Sequence, residues 1–339
     1  MRALVITRHG PPEVLRIEER PDPEPGPGEV RVTVRAAGVN FADLMARIGV
    51  YPDAPKPPAI VGYEIAGDVE ALGEGVEGVR VGDRVLAGCR FGGYAERVVV
   101  GANELLPMPE GWSYAEGAAL PVNYATAYGI LVRYGSVRAG ERVLVHAAAG
   151  GVGIAATQIA KLHAAEVFGT ASPAKHEAIR AIGVDHAIDY RSGDWVAQIR
   201  RIAGARQPLD IALDAVGGRS FRRSFSLLRA GGRLVCFGAS ALVSGERRDL
   251  RRTARTLLET PRFNPLRLSS SSKSVIGFNL LRVWSARGAL DEYVGPLRRW
   301  IDAGELRPVV AEAFPLERGA DAHRFLGERR NVGKVVLTV

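Results

Sequence analysis

The sequence predicts an α/β protein in two parts, a doubly wound parallel sheet with helices on its faces and a smaller, mostly β region. Three observations carry this reading. Over 144–156 an apolar strand breaks into a glycine turn and resumes as an apolar helix. From there to residue 238 short apolar strands alternate with helical stretches, the pattern of a parallel sheet. Before residue 124 the chain changes character and runs in short β-like segments punctuated by glycine and proline.

Gly150, Gly151 and Gly153, with Val152 between them, let the backbone bend tightly and approach a pyrophosphate. The N-terminus of the following helix favours that charge through its unpaired N–H groups and its dipole. Counted from Ala147, the spacing is Ala-x-x-Gly-x-x-Gly rather than the commoner Gly-x-Gly-x-x-Gly. A helix through Gln158, Ile159, Ala160 and Leu162 leads to a second short strand over 164–170, completing a βαβ unit of about 30 residues. After that strand, units that prefer NAD carry an acidic side chain for the ribose 2′-hydroxyl. This chain has Thr170-Ala171-Ser172-Pro173-Ala174-Lys175 there, without a carboxylate. Ser172 and Lys175 offer a hydroxyl and a cation to a 2′-phosphate, so the expected nucleotide is NADP(H).

Further strands read at 184–190, 209–214 and 232–238. Nucleotides lie outside the carboxyl ends of such strands, which puts 214–218 and 237–239, with Phe237 and Gly238, beside the cofactor. In the first part, 30–34 and 95–100 read as strands, and the proline-dense 21–28 as a surface turn.

At 339 residues, 47% hydrophobic and 24% charged, the chain suits two soluble globular domains. Its net charge of +8 suits anionic cofactors and does not require nucleic acid. The opening apolar run is too short for a signal peptide, and no stretch approaches a membrane span, so a cytoplasmic location is expected. Cys89 and Cys236 build neither a disulfide framework nor a four-cysteine zinc lobe.

Three more segments, Ala36-Ala37-Gly38-Val39-Asn40-Phe41-Ala42-Asp43, Gly62-Tyr63-Glu64-Ile65-Ala66-Gly67 and Gly92-Gly93-Tyr94-Ala95-Glu96, join the glycine turn in a family pattern. With them the chain resembles the medium-chain dehydrogenase/reductases over nearly its whole length, specifically their zinc-free quinone oxidoreductase branch. The resemblance implies a Rossmann NADP(H)-binding domain over 124–284 and a GroES-like catalytic domain over 1–123 and 285–339. It also implies cofactor contacts from Thr126 near the nicotinamide, Tyr190 near the 2′-phosphate, Phe278, and one of Arg329 and Arg330 near a phosphate.

In zinc-dependent relatives a cysteine and a histidine ligate the metal where this sequence has Asn40 and Tyr63. An amide and a phenol are poor zinc ligands, so no metal is expected. Without a Lewis acid, alcohol oxidation is hard to explain. Quinones and α,β-unsaturated carbonyls accept hydride more readily, because conjugation delocalises the charge. The resemblance sets Asn40 and Tyr51 beside the nicotinamide with Tyr63 as a neighbour, and these hydrogen-bond donors are the catalytic candidates. Two plainer roles stay open, a turn-fixing amide for Asn40 and a packing phenol for Tyr51.

Residues 245–274 set the chain apart from the shortest members. Arg247, Arg248, Arg251, Arg252 and Arg255 with Leu250, Leu257 and Leu258 read as a basic helix, and the serine run 269–272 as a loop. With 274–280 this segment is similar to the vesicle amine transport protein-like group. The basic helix is expected to cap the substrate cleft, with membrane contact the less favoured role. The apolar strand 275–281 is expected to close the sheet and, as in relatives, to join a second copy in a homodimer. The leading function is an NADPH-dependent, metal-independent reductase of a small electrophilic quinone or enone. The alternatives are a nucleotide-regulated lipid- or membrane-binding protein and an enoyl-thioester reductase.

Overall fold

A computed structural model describes residues 1–339 of the chain except Ser192, Ser244, Arg247 and Ala289, and except the side chains of Arg287 and Asp291. The chain forms two compact units, one of Met1–Ala125, Gly245–Arg248 and Leu281–Val339, the other of Thr126–Ser244 and Asp249–Leu280. It therefore passes between them four times, after Ala125, Ser244, Arg248 and Leu280.

The first unit opens with β1 (Arg2–Ile6), β2 (Leu15–Glu19), β3 (Glu29–Val39), α1 (Phe41–Arg47), β4 (Ala59–Ile60), β5 (Glu64–Leu72), β6 (Arg84–Gly88), β7 (Arg97–Gly101), β8 (Leu105–Pro107) and α2 (Tyr114–Gly117). Strand β3 shows the period of two expected of a sheet with one covered face: Val30, Val32 and Val34 point inward, into a core with Leu4, Ile6, Ile65 and Leu337.

The second unit contains α3 (Pro121–Tyr128) from Thr126 on, then β9 (Arg142–Val145), α4 (Gly151–Leu162), β10 (Glu166–Ala171), α5 (His176–Ala181), β11 (His186–Asp189), α6 (Trp195–Ala203), β12 (Leu209–Asp214), α7 (Arg219–Leu227), β13 (Leu228–Cys236), α8 (Leu250–Glu259), α9 (Pro265–Ser271) and β14 (Ser274–Gly277). Among the described residues its sheet has six strands in the order β11-β10-β9-β12-β13-β14, all parallel. Every residue of β12 is buried, as a central parallel strand covered on both faces requires. This is the doubly wound α/β sheet read from the sequence, with the order reversing between β9 and β12.

Two local expectations are corrected. The edge strand ends at Gly277, not at residue 281, because its partner β13 ends at Cys236, which pairs with Gly277; the Phe278 N–H then closes on Cys236 O at 2.9 Å. The serine run is helical through Ser271, since Asn264 caps the helix by accepting from Leu266 N at 2.9 Å, Pro265 opens it, and Ser271 Oγ donates back to Arg267 O at 2.8 Å. The basic helix forms as α8, capped by Asp249 accepting from Arg252 N at 2.9 Å; Arg247 lies outside the described residues.

The chain ends in the first unit, after α10 (Leu280–Arg287), with α11 (Asp291–Val294), α12 (Arg298–Asp302), β15 (Val310–Pro315), α13 (Gly319–Gly327) and β16 (Lys334–Thr338). Strand β16 joins β3 in the sheet β15-β16-β3-β5-β6-β8, with β7 also on β3. Gly245–Arg248 is tied into this unit by the buried Arg47, whose Nη1 donates to Gly10 O and to Glu246 O, and by Arg324, whose Nε donates to Glu246 Oε1 at 2.9 Å. Among the described residues no helix is long and apolar enough to cross a membrane.

Candidate active site

Strand register gathers the nucleotide-side candidates along one edge of the parallel sheet. Val145 pairs with Gly169 and Leu213, Ala171 with Asp189, Asp214 with Cys236, and Cys236 with Gly277. The residues that follow, His146, Ser172, Tyr190, Ala215, Phe237 and Phe278, therefore stand along the carboxyl ends of the strands. Gly150 caps α4 in an extended conformation (φ −83°, ψ 168°) without a side-chain hydrogen bond, so the first-turn N–H groups carry no side-chain cap. A Cβ on Gly153 would lie 2.3 Å from Ala147 O, and one on Gly238 2.8 Å from Ala215 O. A helix N-terminus without a side-chain cap, with no room for a side chain at Gly153 or Gly238, fits the pyrophosphate of a dinucleotide.

Ser172 is buried at the start of the turn Pro173–Lys175, and its carbonyl accepts from Lys175 N at 2.9 Å. Tyr190 is partly buried, with the Arg191 guanidinium 5.8 Å from its ring centroid. The buried Phe278 ring meets Tyr134 edge-on at 5.4 Å. Beneath the turn, His146 Nε2 lies 2.9 Å from Ser224 Oγ and Nδ1 3.2 Å from Thr170 Oγ1, which accepts from Ala147 N at 3.2 Å. Asp214 accepts from Ser220 Oγ at 2.7 Å, Ser224 Oγ at 2.8 Å and the backbone N–H groups of Val216 and Gly217 at 2.8 and 3.2 Å, fixing the turn after β12. Burial pushes the His146 pKa down, against the pull of Asp214.

The first unit holds the other candidates. Asn40 follows β3 and Lys334 opens β16; the antiparallel register pairs Val39 with Val335, so these two meet as the next pair. Lys334 Nζ donates to Asn40 Oδ1 at 2.6 Å and forms an ion pair with Glu64 Oε1. Asn40 Nδ2 donates to Glu64 Oε1 at 2.9 Å, and Glu64 Oε2 accepts from Val122 N at 2.7 Å. The amide thus bonds an ion pair, and Asn40 also stands as the N-cap of α1 in a capping box with Asp43. Asp43 Oδ2 accepts from Asn40 N and Tyr94 Oη, each at 2.8 Å, and burial pushes its pKa up to about 6.

Tyr63 is buried, its ring tilted against Phe91 at 4.9 Å and edge-on to Tyr51 at 6.4 Å. Its hydroxyl makes no hydrogen bond of standard geometry among the described residues, although Tyr51 stands beside it, and burial followed by the Asp43 charge pushes its pKa up. This donor set does not fit zinc: Asn40 and Glu64 already face an ammonium, and a protonated phenol replaces an imidazole. Among the described residues, no three His, Cys, Asp or Glu side chains are grouped to hold a metal ion.

Thr126 is buried in α3. Arg329 and Arg330 are exposed after α13, Arg330 lying 4.7 Å from the Phe325 ring centroid and 3.6 Å from the Glu328 carboxylate. The buried cation of this C-terminal segment is Lys334, which sequence reasoning missed together with Glu64. The available signal was a charged residue set into each of two apolar strands, 64–66 and 334–337.

Residues 182–337 match the family model described as zinc-binding dehydrogenase, and residues 26–110 that of the alcohol dehydrogenase GroES-like domain. The chain is 42% identical over 339 residues to the synaptic vesicle membrane protein VAT-1 homolog of Danio rerio, an alignment covering 99% of this chain and 70% of that protein. Among solved structures, a quinone oxidoreductase of Pseudomonas syringae pv. Tomato DC3000 superposes with a TM-score of 0.85 at 30% identity, covering 100% of this chain and 99% of that one. A mycobacterial protein complexed with NADPH superposes with a TM-score of 0.86 at 31% identity, covering 100% of each chain. With a GroES-like first part, a Rossmann-like parallel sheet and this degree of identity, the chain is an oxidoreductase of the medium-chain dehydrogenase/reductase superfamily and belongs to its VAT-1 homologue family.

Proposed function

We propose that the chain is an NADPH-dependent, metal-independent reductase of quinones or α,β-unsaturated carbonyls. The observation that carries this reading is the carboxyl end of the parallel sheet, where α4 opens without a side-chain cap after β9 and the turn 172–175 after the neighbouring β10 carries Ser172 and Lys175 and no acidic side chain. The mycobacterial relative solved with NADPH supports the same cofactor. NADPH supplies the hydride when bound. The N–H groups of the 150–153 turn hold the pyrophosphate; Ser172, Lys175 and Tyr190 hold the 2′-phosphate. Asn40, Tyr51 and Tyr63 orient the acceptor by hydrogen bonds to its carbonyl oxygen. The acceptor takes up a hydride and one proton from water, and is released as a hydroquinone or a saturated carbonyl, with NADP⁺ as the other product.

The test follows NADPH oxidation with phenanthrenequinone, a linear enone and crotonyl-CoA, with NADH and a zinc chelator as controls. Turnover of quinone or enone is expected, with kcat/KM about tenfold or more higher for NADPH than for NADH and unchanged by chelator. Consumption of crotonyl-CoA alone makes the chain an enoyl-thioester reductase, and no oxidation with any acceptor defeats the reading.

A second reading has its own observation. Leu250, Leu257 and Leu258 recur on one face of α8 and are 65%, 63% and 86% exposed, with Leu266 of α9 at 80%. Arg251, Arg252 and Arg255 flank them, the arrangement of a helix lying on an anionic membrane. Sedimentation with phosphatidylserine vesicles but not phosphatidylcholine vesicles, abolished by Leu257→Ser with Leu258→Ser, supports it; no sedimentation with either removes it.

A further inference from the structure

We propose that Lys334 and Glu64 are positioning residues for Asn40, holding its amide so that one N–H is left to bind the carbonyl oxygen of the acceptor. The inference rests on the reductase reading. Partners dictate which way the amide lies. An ammonium has donors and no acceptor, so the Asn40 atom facing Lys334 Nζ at 2.6 Å is oxygen. A carboxylate is an acceptor, so the atom facing Glu64 Oε1 at 2.9 Å is nitrogen. A flipped amide would set N–H against the ammonium and oxygen against the carboxylate, two repulsions where little water screens them.

The ion pair is itself fixed. Glu64 is fully buried, Val122 N holds its second oxygen, and a Cβ on Gly38 would lie 2.7 Å from Glu64 Cγ, so the glycine makes room for this side chain. The Asn40 backbone N–H is taken by Asp43. Of the two hydrogens on Asn40 Nδ2, Glu64 receives one, and the other is the preoriented donor. When hydride adds to a conjugated acceptor, an electron pair moves onto the carbonyl oxygen. A donor already aimed there stabilises the transition state more than the bound acceptor. A proton from water then completes the product.

A double-mutant cycle tests this. Asn40→Leu removes the donor and keeps the ion pair; kcat with quinone is expected to fall about 10²-fold, while NADPH affinity from fluorescence titration stays within about twofold. Lys334→Met with Glu64→Gln removes both charges together, leaving neither buried alone, and is expected to lower kcat by a similar factor. In the Asn40→Leu background the paired substitution is expected to have no further effect on kcat, because its effect runs through Asn40. A further loss of the same factor overturns the proposal, as does full activity of Asn40→Leu. If the paired variant fails to fold, Lys334→Arg decides: kcat within about threefold of wild type supports the proposal, and a loss equal to that of Asn40→Leu overturns it. Wild type inert toward every quinone and enone defeats the reductase reading and this inference with it; active wild type with an additive cycle defeats the inference alone.

Discussion

His146 and Asp214 are joined through a single hydroxyl, that of Ser224, which lies 2.9 Å from the imidazole Nε2 and donates to the carboxylate at 2.8 Å. Because the Ser224 proton goes to Asp214, its oxygen accepts from Nε2–H. In the neutral imidazole, the form that burial favours, Nδ1 then accepts from the Thr170 hydroxyl.

A pH dependence of stability follows. In the unfolded chain His146 takes a proton near its ordinary pKa of about 6.5, whereas the folded protein holds it lower by burial. The unfolded state then binds more protons, so stability falls as pH drops below about 6.5. His323, also held well below its usual range by burial, acts in the same direction. Asp43, raised to about 6, opposes them, its contribution being lost as pH rises through about 6. Urea unfolding of wild type and His146→Asn between about pH 5 and about pH 7 checks the sign: the variant is expected to gain less stability with rising pH. An equal or larger gain in the variant contradicts the assignment.

Gly153→Ala is expected to destabilise the protein by about 1–3 kcal/mol and to weaken NADPH binding, since its methyl group would meet Ala147 O at 2.3 Å and Ala148 Cα at 2.7 Å, both backbone atoms. Gly150→Ala meets only Ala147 O at 3.3 Å and should be milder. Thermal unfolding and fluorescence titration of the two variants side by side give the order; a larger effect at Gly150 reverses the argument.

Replacing Ser172 by Ala and Lys175 by Met together is expected to lower the preference for NADPH over NADH about tenfold or more, by loss of charge-assisted bonds to the 2′-phosphate. The ratio of kcat/KM values for the two nucleotides measures it, and an unchanged ratio moves phosphate recognition elsewhere.

Strand β14 is an edge of the parallel sheet, with Ser274 and Gly277 exposed at its ends. An unpaired edge invites a second copy. Light scattering at micromolar concentration is expected to give about twice the 36.3 kDa of one chain, and Ile276→Lys about one chain with its circular dichroism unchanged. A monomeric wild type removes this interface.

The parallel sheet was legible because its information is local: an apolar run, a glycine turn and an apolar helix follow one another in the chain, as at 144–156. Edge details were less so. Where β14 stops depends on where β13 stops, and whether serines join a helix depends on Asn264 and Pro265 upstream. On the site, family likeness pointed to Asn40 and Tyr63 but not to Lys334, because Lys334 and Asn40 are 294 positions apart and meet only through the β3–β16 register. The local signal is only that a charged residue heads each of two apolar strands; that the lysine is buried against the glutamate is set by the register.

The order in which the chain visits its two units limits how they can be recombined. A contiguous cassette cut at 126–244 carries five strands of the parallel sheet, because β14 is made only after the chain has threaded Gly245–Arg248 through the other unit. Such a fragment would bare the side of β13 that β14 covers, so module swapping among relatives must carry 249–280 along with it or leave a sticky flank.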